Sequence, residues 1–401
     1  MIDALPHLAA LRKLRAAFLA HNRDIRVVGG CVRDLMLGKV PADVDLCTNA
    51  TPEEQAAIYV AENIHHIDTG LQHGTYTVVL YEPDQIVLEI TSLRIDTDQD
   101  GRHATVEWTH DWLLDLSRRD LTINAMSLTL DNELIDPYNG ADDLKNGRVV
   151  FVGNAEERIH EDYLRILRWF RFSARYAGGN LDADTATLLM KQNVASGLLK
   201  ISRERVWAEI SKILAGPHAD DILMSIIMLG ISQYIDLPKI NGCIGEMAFA
   251  KKYTNDPVAL MAAYCMSETA VIDLARKWKW SNDEKHRAKT ICQALDSDRR
   301  LTMKDAKKMV VLGKDKSGVT EAFRIIGLPY MADELAAWEI PTMPIKAADI
   351  VASGVAPGPE VGRLYKQIRD RWIDTDYTMS AQDCMNMLKV VSNANDFANN
   401  G

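Results

Sequence analysis

The sequence predicts an α+β protein: a small head in which a mixed sheet carries flanking helices, followed by an all-helical remainder. Three observations lead there. Up to about Leu144, β-branched runs bounded by Gly, Pro and Asn alternate with short helical patterns. From about Ala155 onward, apolar residues recur at helical spacing. Between the two regions, Pro137, Asn139 and Gly140 supply a closing turn. The expected division is a head over 1–144, a helical neck over 145–235 and a helical body and tail over 236–401.

Taken in order, the expected strands are 26–28, 44–47, 75–81, 86–91 and 127–129. Turn signals at Gly70, Gly74, Pro83-Asp84 and Asn139-Gly140 punctuate them. Helical breaks fall at Gly178-Gly179, Gly216-Pro217, Leu237-Pro238, 327–329 and 356–359. With 401 residues the chain can form several domains with substantial cores, and 47% apolar with 25% charged residues is an ordinary globular balance. No apolar run approaches the ~18–20 residues that span a bilayer. The first 19 residues mix charges with Leu and Ala, as an amphipathic helix does and a secretory leader does not. Six scattered cysteines without Cys-x-x-Cys spacing argue against structural zinc and a disulfide framework, and for free thiols in a reducing cytoplasm. A net charge of −10 means that a nucleic-acid partner would need a local basic stripe.

The segment 26–51 carries the densest chemical signal. A β-branched run ends at Gly29-Gly30, a short helix follows, and Asp43 and Asp45 lie one residue apart in an apolar run. Glycines before a helix let backbone N–H groups approach phosphate. Alternate residues of a strand share one face, so Asp43 and Asp45 are expected as paired carboxylates that repel unless a cation lies between them. Hard oxygen ligands suit Mg²⁺. Glu89 follows in an alternating strand pattern. In SRRDLTINAM (117–126), Arg118, Arg119, Asp120 and Asn124 place guanidinium donors, an acid and an amide within seven residues, between apolar runs that tie them to the core. Residues 156–176 read as one helix. At 100° per residue Arg158, Glu161, Asp162, Arg165, Arg168 and Arg175 share an arc, with Tyr163, Ile166, Leu167, Phe170 and Ala174 opposite. Five arginines and no lysine there favour planar, bidentate recognition over a merely solvated face.

GGCVRDLMLGKVPADVDL, SRRDLTINAM and EDYLR, in that order, resemble the motifs of the tRNA nucleotidyltransferase and bacterial poly(A) polymerase family, in the class (class II) shared by bacteria and eukaryotes. The resemblance is dense from about Arg26 to Glu209 and implies a polymerase-β-like nucleotidyltransferase head. It implies that Asp43, Asp45 and Glu89 are the catalytic carboxylates and hold Mg²⁺ in a two-metal site. Gly29, Gly30, Arg33, Arg118, Arg119, Asp120 and Asn124 would contact the nucleotide, and Asp162 with Arg165 would select the base without a template. The chemistry of that selection follows from donor and acceptor inventories. Asp162 can only accept and Arg165 can only donate, which complements the amino group and ring nitrogen of both cytosine and adenine. Uracil and guanine present the reverse order and would leave polar groups unpaired, at ~1–3 kcal/mol each. Arg168 and Arg171 are triphosphate or framework partners.

The implied reaction attaches C, C and A from CTP and ATP to the 3′ end of tRNA, releasing pyrophosphate. Two readings of the same motifs stay open beside it: a bacterial-type poly(A) polymerase, and a partial enzyme that adds only CC or only A. TGLQHGTYTVVL (69–80) resembles the CCA-adding form, and RIDTDQDGRHA (94–104), read as a polar loop, matches a loop that enzymes adding only CC have shortened. A catalytically dead RNA-binding scaffold would need no paired acids. Arg205 and Glu209, at i,i+4, are expected as a structural pair. Residues 276–316 hold 13 Lys and Arg against 6 Asp and Glu, the expected backbone track for tRNA, while Trp278 and Trp280 are read as helical core rather than stacking platforms. The tail segment 355–373 is similar to one recurrent in the family. No membrane partner is expected, and the sequence sets no oligomeric state.

Overall fold

The structure is a computed structural model that describes residues 1–41, 43–81, 85–97, 105–238, 243–295 and 301–399. The chain divides into two compact units, Met1–Lys285 and His286–Gly401. The first takes in the expected head and neck and the opening helices of the expected body.

The head is built on β1 (Ile25–Val28), β2 (Asp45–Thr48), β3 (His65–Gly70), β4 (Thr75–Tyr81), β5 (Gln85–Ser92), β6 (Arg94–Thr97), β7 (Thr105–Trp108), β8 (Ser127–Thr129) and β9 (Leu134–Ile135). Seven of these form one mixed sheet in the order β3-β4-β5-β2-β1-β8-β9, while β6 and β7 pair separately. All neighbours in the large sheet run antiparallel except β2 and β5, whose parallel register sets Asp45 beside Glu89. Along β5, buried and exposed residues alternate as a one-sided strand requires. Val27, Leu46, Val78, Leu88, Ile90 and Leu128 form a core with α1 (Leu8–Ala20) and α3 (Pro52–Ala61), through Leu14, Phe18, Ile58 and Tyr59. A capping box of Thr51 and Glu54, with Pro52 at the first turn, starts α3.

The short helix α2 (Gly30–Met36) leaves β1 through Gly29, at φ +61°. On the other face of the sheet α4 (Trp112–Ser117) lays Trp112 over Val28, Cys47 and Leu93. Helices α5 (Gly140–Lys145), α6 (Ala155–Glu161) and α7 (Leu164–Tyr176) lead into the neck. Asn154 caps α6 by accepting from the Glu156 and Glu157 N–H groups. Later in the first unit, the helix Arg203–Ala215 buries Trp207 against Trp278 and Trp280, which are core residues as read. In the second unit, helices Lys316–Ile325 and Pro329–Ala337 enclose Phe323, and Pro359–Asp374 packs Leu364 and Ile368 with Cys384 and Leu388.

Three expectations need correction. The strand expected from 44 begins at Asp45, and Asp43 lies in the bend before it, so the two acids are not alternate residues of one strand. Because β1 turns away at Gly29, its pairing with β2 ends at Leu46. The stretch expected as a loop from 94 contains β6, paired with β7; residues 98–104, like Pro83-Asp84, lie outside the described residues. The single helix expected over 156–176 is two: Asp162 is extended, at φ −150° and ψ 105°, between α6 and α7.

The junction of head and neck admits little extra volume at Gly140. A Cβ there would meet the Thr122 carbonyl oxygen at 2.1 Å, a backbone contact that no rotamer change relieves. Gly140→Ala should lower the stability of the first unit by roughly 3 kcal/mol, measured as a fall in urea midpoint at unchanged slope. A midpoint equal to wild type would show that the turn gives way freely.

Candidate active site

One cleft of about 690 Å³ brings the sheet and the neck together. Its floor is Gly29, Gly30, Asp45, Cys47, Glu89 and Thr91; its walls are Arg33, Arg94, Arg118, Arg119, Asp120 and Asn124 from the head, and Asp162, Arg165, Arg168, Phe172 and Arg205 from the neck. A larger cavity of about 910 Å³ lies between α1, the end of α3 and β3–β4, without paired acids or converging arginines. Volume alone therefore does not mark the site; convergent charge does.

The arginines are held by two buried acids. Asp115, 1% exposed, takes Arg118 Nη2 on one carboxylate oxygen at 2.6 Å and Arg119 Nη2 on the other at 3.0 Å. Burial pushes its carboxyl up, but the charges and hydrogen bonds of both arginines prevail and hold it below the usual range. Asp120 accepts from Arg168 Nε at 2.7 Å and from Asn124 Nδ2 at 3.1 Å, while Asn124 Oδ1 accepts from Arg33 Nη1 at 2.5 Å. Burial opposes ionisation of Asp120, and Arg168 with Asn124 reverses it, so this carboxyl is also held low. The relay Arg33–Asn124–Asp120–Arg168 thus ties α2 to α7. Arg33 also lies 4.6 Å from the centre of the Tyr176 ring.

Asp45 opens onto the cleft beside Glu89. Loss of solvent around it raises its carboxyl, Arg119 and Arg33 lower it, and the charges of Asp43 and Glu89 raise it further. That mutual repulsion among carboxylates is what a bound cation would relieve, and an all-oxygen donor set fits a hard divalent ion. Among the described residues no three His, Cys, Asp or Glu side chains already converge as a metal-binding group, so the fit rests on the Asp45–Glu89 register and the field of Asp43. Burial pushes the thiols of Cys31 and Cys47 up to about 12, which leaves neither as a nucleophile.

Gly29 serves two needs. Its φ is positive, and a Cβ would meet Arg119 Nη1 at 2.8 Å. Its N–H, expected to face phosphate, donates instead to the Met126 carbonyl at 3.1 Å. In the neck, Asp162 Oδ1 accepts from the Leu164 N–H at 3.0 Å and Oδ2 from Arg205 Nη2 at 2.7 Å. Arg165 folds back on α6, donating to Glu161 at 2.5 Å and to the carbonyls of Arg158 and Arg118 at 3.0 Å each. Arg171 pairs with Glu209 at 2.6 Å and does not line the cleft, which assigns it to the framework.

Asp43 likewise lies outside the lining, at the bend beside Asp45. Arg205, expected to be structural, pairs with Asp162 and lines the cleft, while Glu209 takes Arg171 and Lys212. Sequence reasoning missed Arg205 and Phe172 as lining, and Asp115 as the holder of two arginines. Only Asp115 had a local signal, its i,i+3 and i,i+4 spacing to Arg118 and Arg119.

A mixed sheet with adjacent acids, facing an arginine-lined helix, defines a nucleotidyltransferase of the polymerase-β-like class. Residues 25–150 match the family described as "Poly A polymerase head domain", and residues 181–241 match "Probable RNA and SrmB- binding site of polymerase A". The chain is 37% identical to the CCA tRNA nucleotidyltransferase 1, mitochondrial, of Homo sapiens, over 94% of this chain and 89% of that one. It is 33% identical to the CCA-adding enzyme of Leuconostoc mesenteroides, over 92% and 90%. The crystal structure of the Bacillus stearothermophilus CCA-adding enzyme in complex with CTP superposes with a TM-score of 0.80 at 25% identity, covering 98% of this chain and 99% of that one. The chain belongs to the tRNA nucleotidyltransferase/poly(A) polymerase family, whose nucleotidyltransferases use divalent metal ions. No described helix is long and apolar enough to cross a membrane.

The buried acids set a pH dependence. Asp115 and Asp120 have lowered folded-state values, so their stabilisation is complete above the unfolded-chain value of about 3.9 and is lost as pH falls through the folded values. Acid unfolding of the first unit should therefore begin below about pH 4. Asp115→Ala strands two guanidiniums and should cost about 3–5 kcal/mol at pH 7, with the acid limb of the stability–pH curve flattened. An unchanged limb would show that Asp115 carries no such linkage.

Proposed function

We propose that this chain adds C, C and A to the 3′ end of tRNA from CTP and ATP, without a nucleic-acid template and with release of pyrophosphate. The observation that carries this is the single cleft joining Asp45 and Glu89 on the sheet to Asp162 and Arg165 on the neck. Arg33, Arg118, Arg119 and Arg168 supply donors for the triphosphate. Their orientation is prepared before substrate arrives, because Asp115, Asp120 and Asn124 already hold them. Asp162 offers acceptor oxygens and Arg165 a guanidinium, the pattern that complements cytosine and adenine and mismatches uracil and guanine. The 3′-hydroxyl of the RNA attacks the α-phosphate in line as the bond to pyrophosphate breaks.

Asp45 and Glu89, with Asp43 beside them, would hold the divalent ions, and Mg²⁺ suits this oxygen-only set. When bound, such ions acidify the attacking hydroxyl and neutralise the leaving pyrophosphate. In this reading residues 1–144 carry the chemistry, 145–235 select the base, and 236–401 bind tRNA, supported by the basic excess over 276–316. A reducing, cytoplasmic setting is supported by the five cysteines that are free and buried among the described residues, although the human relative is named mitochondrial.

A tRNA ending at its discriminator base, offered each nucleotide separately and then CTP with ATP, should gain C, C and A and then stop. A long A tail from ATP alone would instead favour the poly(A) reading. Removal of divalent ions by a chelator should abolish incorporation, and added Mg²⁺ should restore it. Asp45→Ala should lower kcat by roughly a thousandfold, the loss of several kcal/mol of charge stabilisation, while tRNA binding persists in a filter assay. Retained turnover would overturn the metal assignment.

A further inference from the structure

Residues 156–176 contain neither Gly nor Pro, and the local signal for a break between α6 and α7 is Asp162, whose Oδ1 caps the Leu164 N–H. The chain leaves helical geometry at Asp162 alone; Tyr163 already has helical dihedrals, at φ −61° and ψ −17°, and α7 follows from Leu164. The residue after Asp162, Tyr163, adds a tertiary contact to this local cap. A Cβ built on Gly197 would fall 1.8, 2.0 and 2.2 Å from three carbons of the Tyr163 ring. The ring therefore rests directly on the backbone of the 3₁₀ turn Ser196–Lys200, where only hydrogen fits. Gly197 does not have positive φ, so space rather than conformational freedom demands glycine here. The His160 ring meets Tyr163 edge-on at 5.7 Å, and the Lys200 ammonium lies 5.4 Å from its centre. The end of α6, the start of α7 and the 3₁₀ turn thus converge on one side chain, immediately after Asp162.

We propose that Tyr163 seated on Gly197 is a positioning lock for base discrimination. It holds the helix break open and so fixes the direction in which Asp162 presents its carboxylate to the cleft. Were 156–176 to close into one helix, Asp162 would take helical dihedrals and its carboxylate would leave the line set by Arg205 and the Leu164 N–H. Neither Tyr163 nor Gly197 lines the cleft, so both act through Asp162. The inference rests on the assignment of Asp162 to the base edge.

The test compares kcat/KM for CTP with that for UTP on full-length protein carrying Gly197→Ala, Tyr163→Ala, Tyr163→Phe or Asp162→Ala, with thermal midpoints and tRNA affinity measured alongside. Gly197→Ala and Tyr163→Ala should each cut the CTP:UTP ratio by about 10- to 100-fold, as expected for small misplacement of a recognition group, with tRNA affinity unchanged. Tyr163→Phe, which keeps the ring, should retain the ratio. If Gly197→Ala does not fold, Tyr163→Ala alone decides. A ratio unchanged in Tyr163→Ala, while Asp162→Ala abolishes discrimination, would overturn the lock and leave the base-edge reading standing. A ratio unchanged in Asp162→Ala would overturn both.

Discussion

The active cleft depends on keeping like-charged guanidiniums together in a small space before any phosphate is present. Arg33, Arg118, Arg119 and Arg168 all line it, and left alone they would repel one another and dissolve the site's geometry. Asp115 and Asp120 prevent that from beneath. Each is buried and each engages arginine with both burial and charge in play; the charge prevails, so both carboxylates stay ionised. Asp115 lies behind the cleft lining, while Asp120 is part of it. Their contribution is orientation, made in advance, of donors that will face a polyanion.

The same constraint explains how two parts of the chain become one site. Asp120 belongs to the head and Arg168 to α7, and their pairing at 2.6 Å crosses from sheet to neck. Asn124 extends the connection to Arg33 on α2. The wall contributed by the neck is thus tied to the wall contributed by the head. At the other end, Asp162 is balanced between its own helix start and Arg205. An incoming base must share acceptor oxygens that already have partners, which makes discrimination depend on small differences in hydrogen bonding rather than on shape. Removing a partner from a buried polar group costs more than adding one contributes, and the proposed selection at Asp162 rests on this asymmetry.

Much of the head was legible because its signals are local. The strands 75–81 and 127–129 were read at their observed bounds, since apolar and β-branched runs bounded by turn residues are local signals even where, as here, consecutive residues are buried. The acids, the paired arginines and the EDYLR stretch were found as candidates for the same reason: residue type and short spacing are written along the chain. What misled was continuity. Asp43 and Asp45 looked like neighbours on a strand, but Asp43 lies in a bend and the ladder of β2 begins only at Asp45. Residues 156–176 looked like one helix, but Asp162 is extended and caps the Leu164 N–H, and the next residue, Tyr163, packs on a turn more than thirty residues away.

By itself the sequence determined the kind of chemistry available: hard oxygen ligands beside a glycine turn, planar cation donors, and an acid–arginine pair suited to a base edge. It determined these because donors, acceptors and charge belong to residue types and survive any folding. The tertiary structure alone decided which of those groups meet. That Asp45 stands level with Glu89 comes from a parallel register between strands distant in sequence, and that Arg205 serves Asp162 comes from the packing of separate helices. Arg171, equally suitable by type, was turned to Glu209 and away from the cleft. Long-range proximity is set by how faces pack, and packing is a property of the whole chain that no short spacing records.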